Sequence, residues 1–299
     1  MILLAGSSNP VFSRALAKQV RASYGDVELS KFQNDERRVW VKTSVVNQDV
    51  IVVQSCSRPV DTHILELALI VDAVERAGAR SITVVIPWMG YSLQDKVFRA
   101  GEPIAARVVA DIISVSSVRR VFLMDLHNSS TVGFFSIPTT VVSPFDVFTK
   151  DVREKYGSED LIVVSPDFGG LKRAHVFSEK IGCPLANVDK IRNLKTGKVS
   201  VKFMAGEVRG KTCLVVDDII NTGSTAIEVA RLLKKNGAKR IVFYATHSLL
   251  AGNASSLLQE SDIDEVVVTD TVEIGTAGFQ KLRVVSVVPV FAEAIHELI

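Results

Sequence analysis

The chain has 299 residues, 47% of them hydrophobic, and a formal net charge of +2 at pH 7. This length and apolar content indicate a globular protein with a large core and favour two domains over one. The near-neutral charge, without a long run of one sign, argues against a nucleic-acid tail and against a basic membrane-binding helix. Any anion binding must therefore be local.

The three cysteines, Cys56, Cys183 and Cys213, are odd in number and lack the spacing of metal ligands. They predict reduced thiols in a cytosolic compartment rather than a disulfide framework. The start MILLAGSSNP has no basic segment, and its apolar part is too short for a signal peptide. No later apolar run reaches the roughly 20 residues of a membrane span. We expect a cytoplasmic protein that binds neither membrane nor nucleic acid.

The chain begins with a predicted strand, Ile2 to Ala5, and a helix from Pro10 to about Val20 that Asn9 caps. The segment KFQNDERRVW follows, a polar island in front of a predicted strand. An aromatic face beside amide and carboxylate groups suits a purine, although a solvated turn beside a packed Phe explains the same residues. The side chains of the island are Phe32, Asn34, Asp35 and Glu36.

Residues 50–91 and 213–250 share one pattern: strand, polar loop, helix, a Gly-Ala pair and a second strand. Each unit is typical of a βαβ crossover and predicts parallel sheet, with Gly78 and Gly237 as helix C-terminal glycines. The sequence therefore predicts two related α/β domains. The helix from His63 to Glu75 is apolar on more than one face, so we expect a neighbouring element or another subunit to cover it.

Residues 87–103, PWMGYSLQDKVFRAGEP, combine Pro, two Gly and basic side chains without a clean period. Such a segment is typical of a mobile loop. Loops that close over a polyphosphate need cations and must move to admit it, and Lys96 and Arg99 supply the charge. A solvated surface loop is the alternative interpretation.

Two strand ends carry candidates for contacts to a metal or a phosphate. Residues 121–135 predict a strand followed by His127, which is either a hydrogen-bonded loop residue or a ligand. Residues 161–174, LIVVSPDFGGLKRA, predict a buried strand, a tight turn and a helix. Glycines let the backbone approach an anion at the helix start, and Asp167 can bind a magnesium ion that bridges a diphosphate.

Lys190 and Arg192 alternate along a predicted strand in VDKIRNLKTGKV, which puts both cations on one face. Phosphoryl-type transfer needs positive groups at the oxygens of the transferred phosphorus and at the leaving phosphate. The two cations are therefore a fitting catalytic pair, with a solvated face as the alternative.

Residues 213–226, CLVVDDIINTGSTA, carry the strongest functional pattern of the chain. Cys213 to Val216 predicts a buried parallel strand, and Asp217 to Thr225 is predicted to connect it to a helix. The backbone N–H groups of the Thr-Gly-Ser-Thr turn can converge on a phosphate at the helix start, although a helix N-cap uses the same residue types. Beside that phosphate, the carboxylates of Asp217 and Asp218 would repel the ligand unless they accept hydrogen bonds from sugar hydroxyls or share a cation. A phosphorylated ribose supplies both the hydroxyls for the carboxylates and the phosphate for the turn.

VDDIINTGST is similar to the ribose-5-phosphate signature of the phosphoribosyltransferase fold, and its surroundings resemble the ribose-phosphate pyrophosphokinases. The resemblance covers nearly the whole chain through at least five separated motifs in the family's order. It implies an α/β fold of two related phosphoribosyltransferase-like domains, each a mainly parallel sheet flanked by helices. The implied domains are 1–146, with the C-terminal helix 289–299 packing back on it, and 147–288, which carries the ribose-5-phosphate and pyrophosphate loops.

The activity implied by the resemblance is Mg²⁺-dependent transfer of the β,γ-diphosphoryl group of ATP to the C1 hydroxyl of ribose 5-phosphate. The products are 5-phosphoribosyl 1-diphosphate and AMP. ATP and ribose 5-phosphate are the implied partners, together with self-association into a dimer or higher oligomer. The alternatives are a phosphoribosyltransferase and a non-catalytic regulatory homologue that binds nucleotide or sugar phosphate.

The resemblance also assigns site residues. The catalytic pair is Lys190 and Arg192, and the metal contacts are His127 and Asp167. The ATP-binding residues are Phe32, Asn34, Asp35, Glu36, Leu93, Gln94, Lys96 and Arg99. The ribose-5-phosphate-binding residues are Arg192, Asp217, Asp218, Thr222, Gly223, Ser224, Thr225 and Ala226. The pyrophosphate loop is Asp167, Phe168, Gly169 and Gly170.

Two positions depart from the family pattern. Asn221 stands where the family often has Asp, which removes a charge but keeps a side chain able to cap the turn. Leu93 stands where the family's loop usually has Arg. One charge-assisted contact to ATP is therefore missing unless Lys96 or Arg99 compensates.

Overall fold

The computed structural model describes residues 1–114, 117–192, 199–275 and 278–299, with the backbone alone for 189–192 and 199–204. The chain divides into two compact units. The first unit is Met1–Ser143, Thr271–Glu273 and Val287–Ile299, and the second is Pro144–Asp270 and Ile274–Ser286.

The first unit contains a six-stranded parallel sheet and a separate hairpin. Its elements up to residue 143 are β1 (Ile2–Ala5), α1 (Pro10–Gln19), β2 (Ser23–Tyr24), β3 (Val27–Lys31), β4 (Arg37–Val41), β5 (Asp49–Val53), α2 (Val60–Arg76), β6 (Ser81–Ile86), α3 (Ala105–Ser114), β7 (Val118–Met124), a 3₁₀-helix (Ser129–Phe134) and β8 (Thr139–Val142). The strand order is β2-β1-β5-β6-β7-β8, and every neighbouring pair is parallel. β3 and β4 form an antiparallel two-stranded sheet.

The second unit contains a seven-stranded sheet. Its elements are α4 (Phe145–Tyr156), β9 (Leu161–Ser165), α5 (Leu171–Ile181), β10 (Leu185–Arg192), β11 (Val199–Ala205), β12 (Thr212–Ile220), α6 (Ser224–Lys235), β13 (Arg240–Ser248), α7 (Ala254–Glu260), β14 (Glu265–Thr269) and β15 (Leu282–Val285). The strand order is β11-β10-β9-β12-β13-β14-β15. Only the β10–β11 pair is antiparallel among the strands of this sheet that the structure describes. The last helix, α8 (Val288–Leu298), belongs to the first unit.

The central strands are continuous runs of β-branched and other apolar residues because they are covered on both faces, as parallel strands usually are. In the first unit Val52 of β5 and Val84 of β6 pack in one core cluster with Leu67 of α2. In the second unit Val215 of β12 packs with Val229 of α6 in the same way.

The internal repeat predicted from the sequence is confirmed. β5, α2 and β6 form one parallel βαβ unit, and β12, α6 and β13 form the other. Gly78 and Gly237 follow the two helices with φ angles of +82° and +83°. Only glycine adopts this left-handed conformation without a steric cost, so both act as the predicted helix C-terminal glycines.

The predicted connection from Asp217 to Thr225 is wrong in its bounds. β12 continues to Ile220, and its pairing with β13 runs through Asp217↔Ala245 to Ile220↔Ser248. α6 begins at Ser224, so the turn between the two elements is only residues 221–223. The strand is longer because β13 is also long enough to pair with it, which local sequence does not reveal. Asp217 and Asp218 are therefore fixed in the sheet itself.

The predictions for the Asn9 cap and for the cysteines are also confirmed. Asn9 caps α1, since its side chain accepts a hydrogen bond from Phe12 N–H at 3.2 Å. The three cysteines are free thiols. α8 packs on α1, where the rings of Phe12 and Phe291 meet edge to face at 5.7 Å. Within the described residues, no helix combines the length and the apolar character needed to cross a membrane.

Candidate active site

The candidate residues of the second unit lie at the carboxyl ends of three neighbouring strands. β9 and β12 are adjacent and parallel, with Val164 opposite Val215. Asp167 follows the end of β9, and Asp217 and Asp218 lie near the end of β12, so the three carboxylates share one edge of the sheet. In open α/β sheets, ligands bind outside the carboxyl ends of the strands.

The carboxylates of this edge interact electrostatically. Burial and the adjacent Asp218 carboxylate raise the pKa of Asp217 well above its usual value, and Asp167 adds to the shift while Arg173 opposes it. Asp218 is 4% exposed, and its backbone N–H donates to Asp217 Oδ1 at 3.0 Å. Such a concentration of negative charge favours a bound cation or hydroxyl donors from a ligand.

The turn after β12 depends on one glycine. Gly223 has a φ of +76° and is the N-cap residue of α6. A Cβ at this position would lie 3.1 Å from Leu258 Cγ, so both the backbone conformation and the space select glycine. Thr222 Oγ1 and Ser224 Oγ are 3.0 Å apart and exposed beside the helix start. The first N–H groups of a helix have no partner within it, which favours an anion at this point.

Hydrogen bonds to Asp167 stabilise the turn after β9. Asp167 Oδ1 accepts a hydrogen bond from Gly170 N–H at 2.9 Å, and the Asp167 carbonyl accepts one from Ser165 Oγ at 2.7 Å. Phe168 is 64% exposed. The predicted strand, tight turn and helix are thus present, with α5 beginning at Leu171.

Lys190 and Arg192 belong to the predicted strand, β10, which is the neighbour of β9 on the side away from β12. Their backbone pairs with β11 at Lys190↔Val201 and Arg192↔Val199. Their side chains lie outside the described residues, so the predicted catalytic roles stay predictions.

In the first unit, the predicted purine segment is the tip of the β3–β4 hairpin. Phe32 N–H donates to the Glu36 carbonyl at 2.9 Å, which closes the turn. Phe32 is 52% exposed, and the guanidinium of Arg38 lies 5.9 Å from its ring centroid. Asn34, Asp35 and Glu36 are exposed as well. The aromatic and polar groups are thus open to solvent.

The other candidates of the first unit follow β6 and β7, which are adjacent parallel strands. Residues 87–103 contain no helix or strand, as the loop prediction requires, and they include Leu93, Gln94, Lys96 and Arg99. His127 follows β7 and is exposed. Asn128 Nδ2 donates to Asp95 Oδ2 at 2.6 Å, so the two segments are in contact.

A buried polar cluster beneath the hairpin was not predicted. Glu66 of α2 is fully buried, and its Oε1 accepts from Ser7 N–H at 2.7 Å, Ser7 Oγ at 2.8 Å and Gln54 Nε2 at 2.7 Å. Its Oε2 lies 3.3 Å from Arg37 Nη2, at the start of β4. The sequence signal of this cluster was a charged residue, Glu66, among the apolar residues of the buried face of α2.

Among the residues that the structure describes, no three His, Cys, Asp or Glu side chains are grouped to hold a metal ion by themselves. Magnesium on a polyphosphate is usually held by one or two carboxylates together with phosphate oxygens and water. The carboxylates of Asp167, Asp217 and Asp218 fit that kind of site, because they are oxygen ligands and a cation would reduce the repulsion between them.

Comparison with known proteins agrees with this geometry. Residues 1–116 match the N-terminal domain of ribose phosphate pyrophosphokinase, and residues 172–299 match the phosphoribosyl synthetase-associated domain. The ribose-phosphate pyrophosphokinase of Rhizobium meliloti is 37% identical over 99% of this chain and 96% of its own length. That of Caldanaerobacter subterraneus is 39% identical over 98% of this chain and 93% of its own length.

A crystal structure of phosphoribosylpyrophosphate synthetase from Mycobacterium smegmatis is similar over 99% of this chain and 98% of its own, with a TM-score of 0.92 and 34% sequence identity. The two mainly parallel sheets, the internal repeat and this similarity define a protein with two phosphoribosyltransferase-like domains. The similarity over the full length is more specific than the fold. The chain belongs to the ribose-phosphate pyrophosphokinase family, whose members are enzymes of nucleotide biosynthesis.

Proposed function

We propose that the protein catalyses Mg²⁺-dependent transfer of the β,γ-diphosphoryl group of ATP to the C1 hydroxyl of ribose 5-phosphate. The C1 oxygen attacks the β-phosphorus in line and forms a new P–O bond, while the bond from the β-phosphorus to the α,β-bridging oxygen breaks. AMP leaves with that oxygen, and the proton of the C1 hydroxyl passes to solvent. The observation that carries the proposal is the carboxylate pair Asp217 and Asp218, fixed in β12 two residues before the strand ends and the Gly223 turn begins. A sugar phosphate has hydroxyls for the carboxylates and a phosphate for the turn.

In the second unit, Asp217 and Asp218 accept hydrogen bonds from the ribose hydroxyls. The turn and helix start at Thr222, Gly223, Ser224, Thr225 and Ala226 hold the 5-phosphate, with backbone N–H groups directed at its oxygens. Arg192 adds a positive charge to this site. The turn of Asp167, Phe168, Gly169 and Gly170 holds the diphosphate. Lys190 and Arg192 stabilise the charge that develops on the transferred phosphorus and on the leaving phosphate.

In the first unit, the exposed ring of Phe32 stacks on the adenine, and Asn34, Asp35 and Glu36 read its polar edge. Gln94, Lys96 and Arg99 contact the polyphosphate from the loop after β6. Leu93 has no charge to offer, so Lys96 and Arg99 carry the positive charge of this loop toward the nucleotide.

Asp167 and His127 are the residues we assign to magnesium, Asp167 directly and His127 through water, because Mg²⁺ prefers oxygen ligands. When bound, the ion would neutralise phosphate charge and lower the pKa of a coordinated hydroxyl. The bound ion would also reduce the repulsion between the carboxylates of Asp217 and Asp218. This repulsion is one cause of the raised pKa of Asp217.

We further propose that residues 1–146 with 289–299 serve the nucleotide, that 147–288 serve the sugar phosphate, and that the protein is cytoplasmic. We also propose self-association into a dimer or larger oligomer. A groove of about 470 Å³ is lined mostly by apolar side chains of α2, α3 and the loop before α3, and Leu65 and Val108 on it are 53% and 52% exposed. Exposed apolar surface of this kind supports burial against another copy.

The test is to incubate the purified protein with magnesium, ATP and ribose 5-phosphate and to measure AMP, with a control that lacks the sugar. We expect AMP only when the sugar is present. Lys190→Ala should lower kcat on the order of 100-fold with modest changes in KM, since a cation that acts in the transition state is removed. ADP as product would refute attack on the β-phosphorus, and unchanged turnover of Lys190→Ala would refute the catalytic assignment.

A further inference from the structure

One side-chain contact joins the loop of residues 87–103 to the segment after β7. Asn128 Nδ2 donates to Asp95 Oδ2 at 2.6 Å, in a partly buried position. Asp95 lies between Gln94 and Lys96, and Asn128 directly follows His127. The contact therefore joins the two segments to which nucleotide and metal contacts are assigned above.

The orientation of the Asn128 amide is determined at both ends. Its Oδ1 accepts from Ser130 N–H at 3.0 Å, which caps the 3₁₀-helix Ser129–Phe134. Because the oxygen faces an N–H donor, the NH₂ group must face the Asp95 carboxylate. A hydrogen bond to an ionised acceptor is roughly twice as strong as a neutral one. The contact is thus specific in direction as well as in partners.

Asp95 lies at the boundary between the first part of the loop, which contacts other elements, and the exposed residues that follow. Ahead of it, Tyr91 Oη donates to Asp61 Oδ1 at 2.6 Å, which attaches the loop to α2. Beyond it, residues 96–100 are exposed, and two of their backbone N–H groups donate to Glu102 within the same loop. Asn128 therefore binds Asp95, directly before the exposed tip of the loop, residues 96–100, which carries Lys96 and Arg99.

We propose that Asn128 is a positioning residue for the nucleotide: by binding Asp95 it fixes the loop that carries Gln94 and Lys96 against the segment that carries His127. This inference rests on the proposed function, which assigns both segments to ATP and its metal. A displacement of about 1 Å in such a positioning element can lower a rate on the order of 100-fold. A side chain that touches no substrate can thus control how ATP is used.

Asn128→Asp tests the proposal because it keeps an oxygen for Ser130 N–H while it sets a second carboxylate against Asp95. We expect KM for ATP to rise about tenfold or more, and KM for ribose 5-phosphate to change less than about threefold. Adding Asp95→Asn restores an amide–carboxylate pair in the opposite sense and should return KM for ATP to within about threefold of wild type. Asp111→Asn, which breaks the exposed Arg107–Asp111 pair of α3, is the matched control and should change neither constant.

A second readout does not depend on turnover. Lys96 and Arg99 are exposed, so we expect trypsin to cleave after both, and bound ATP should protect them. Asn128→Asp should raise the ATP concentration for half-protection about tenfold, and the double variant should restore it. If Asn128→Asp leaves both KM for ATP and this concentration unchanged, or if the double variant is no better than the single one, the inference is wrong. Absence of AMP formation by the wild type would instead refute the proposed function, while the protection experiment would still decide on Asn128.

Discussion

Asp218 and Glu66 are both buried carboxylates, with 4% and 0% of their surface exposed, but their neighbours differ. Glu66 is surrounded by donors: Ser7, Gln54 and Arg37. Asp218 lies beside the Asp217 carboxylate at the edge of the sheet. A carboxylate among donors stabilises the fold, whereas neighbouring carboxylates at a strand end are typical of a site that a ligand completes.

Replacing Asp218 should weaken the sugar selectively. In Asp218→Asn we expect KM for ribose 5-phosphate to rise on the order of 10- to 100-fold, and KM for ATP to change much less, because a charged acceptor for hydroxyls is lost. Steady-state kinetics with each substrate varied in turn measures both. Asp160→Asn, at the partly exposed Lys211–Asp160 pair of the same unit, is the control and should change neither. A larger effect on ATP than on the sugar would overturn the ligand assignment.

Replacing Glu66 should weaken the fold. Glu66→Ala leaves the donors of Ser7 and Gln54 without their acceptor and Arg37 without its carboxylate, so we expect a loss of about 3–5 kcal/mol in the free energy of unfolding. Glu66→Gln keeps an acceptor and should lose less. Urea unfolding measures the difference. Asp72→Ala removes the exposed Arg76–Asp72 pair of the same helix and should lose under about 0.5 kcal/mol. Equal losses for Glu66→Ala and Asp72→Ala would contradict the structural role.

At the scale of elements, the site depends on how β12 passes into α6. The strand carries its carboxylates to within two residues of its end, and Gly223 in the following turn has a φ of +76°. The helix then starts at Ser224 with its N–H groups facing the turn. The sugar hydroxyls and the phosphate are thus served by consecutive elements rather than by a long loop.

Gly223→Ala should affect ribose 5-phosphate specifically. The new Cβ meets Leu258 at 3.1 Å and strains the left-handed backbone, so the turn must move and its N–H groups lose their direction. We expect KM for the sugar phosphate to rise on the order of tenfold. Gly182→Ala is the matched control, because Gly182 has a φ of +82° but a Cβ there meets nothing within 4 Å. It should lower stability without changing KM, and an equal rise in KM for both variants would refute the specific role of the turn.

The sequence predicted the parts of this architecture that depend on local pattern. The βαβ units, the glycines that end α2 and α6, and the turn after β9 follow from periodicity and residue type. The length of β12 was not predictable, because it depends on pairing with β13 as far as Ser248. The Glu66 cluster was not predictable either, since Ser7 is 59 residues away from Glu66 in the chain. Contacts between distant residues determine what local pattern cannot.

At the scale of the whole molecule, one βαβ pattern occurs in both units but only the second has the carboxylate pair. Where β12 carries Asp217 and Asp218, the first unit has Gln54 and Ser55, and both are buried. Gln54 Oε1 accepts from Ser8 Oγ at 2.7 Å, so the corresponding strand end is filled by the unit's own side chains. This difference supports separate binding roles for the two units, in which only the second binds the sugar phosphate.

The most direct test of the central claim is to follow both transferred phosphorus atoms of ATP. The protein would be incubated with magnesium, ribose 5-phosphate and ATP labelled at the β- and γ-positions, and the labels in the sugar product would be counted. Attack of the C1 hydroxyl on the β-phosphorus predicts both labels in the sugar product in equal amounts, with unlabelled AMP released. The γ-label alone in the sugar, with the β-label retained in ADP, would contradict diphosphoryl transfer.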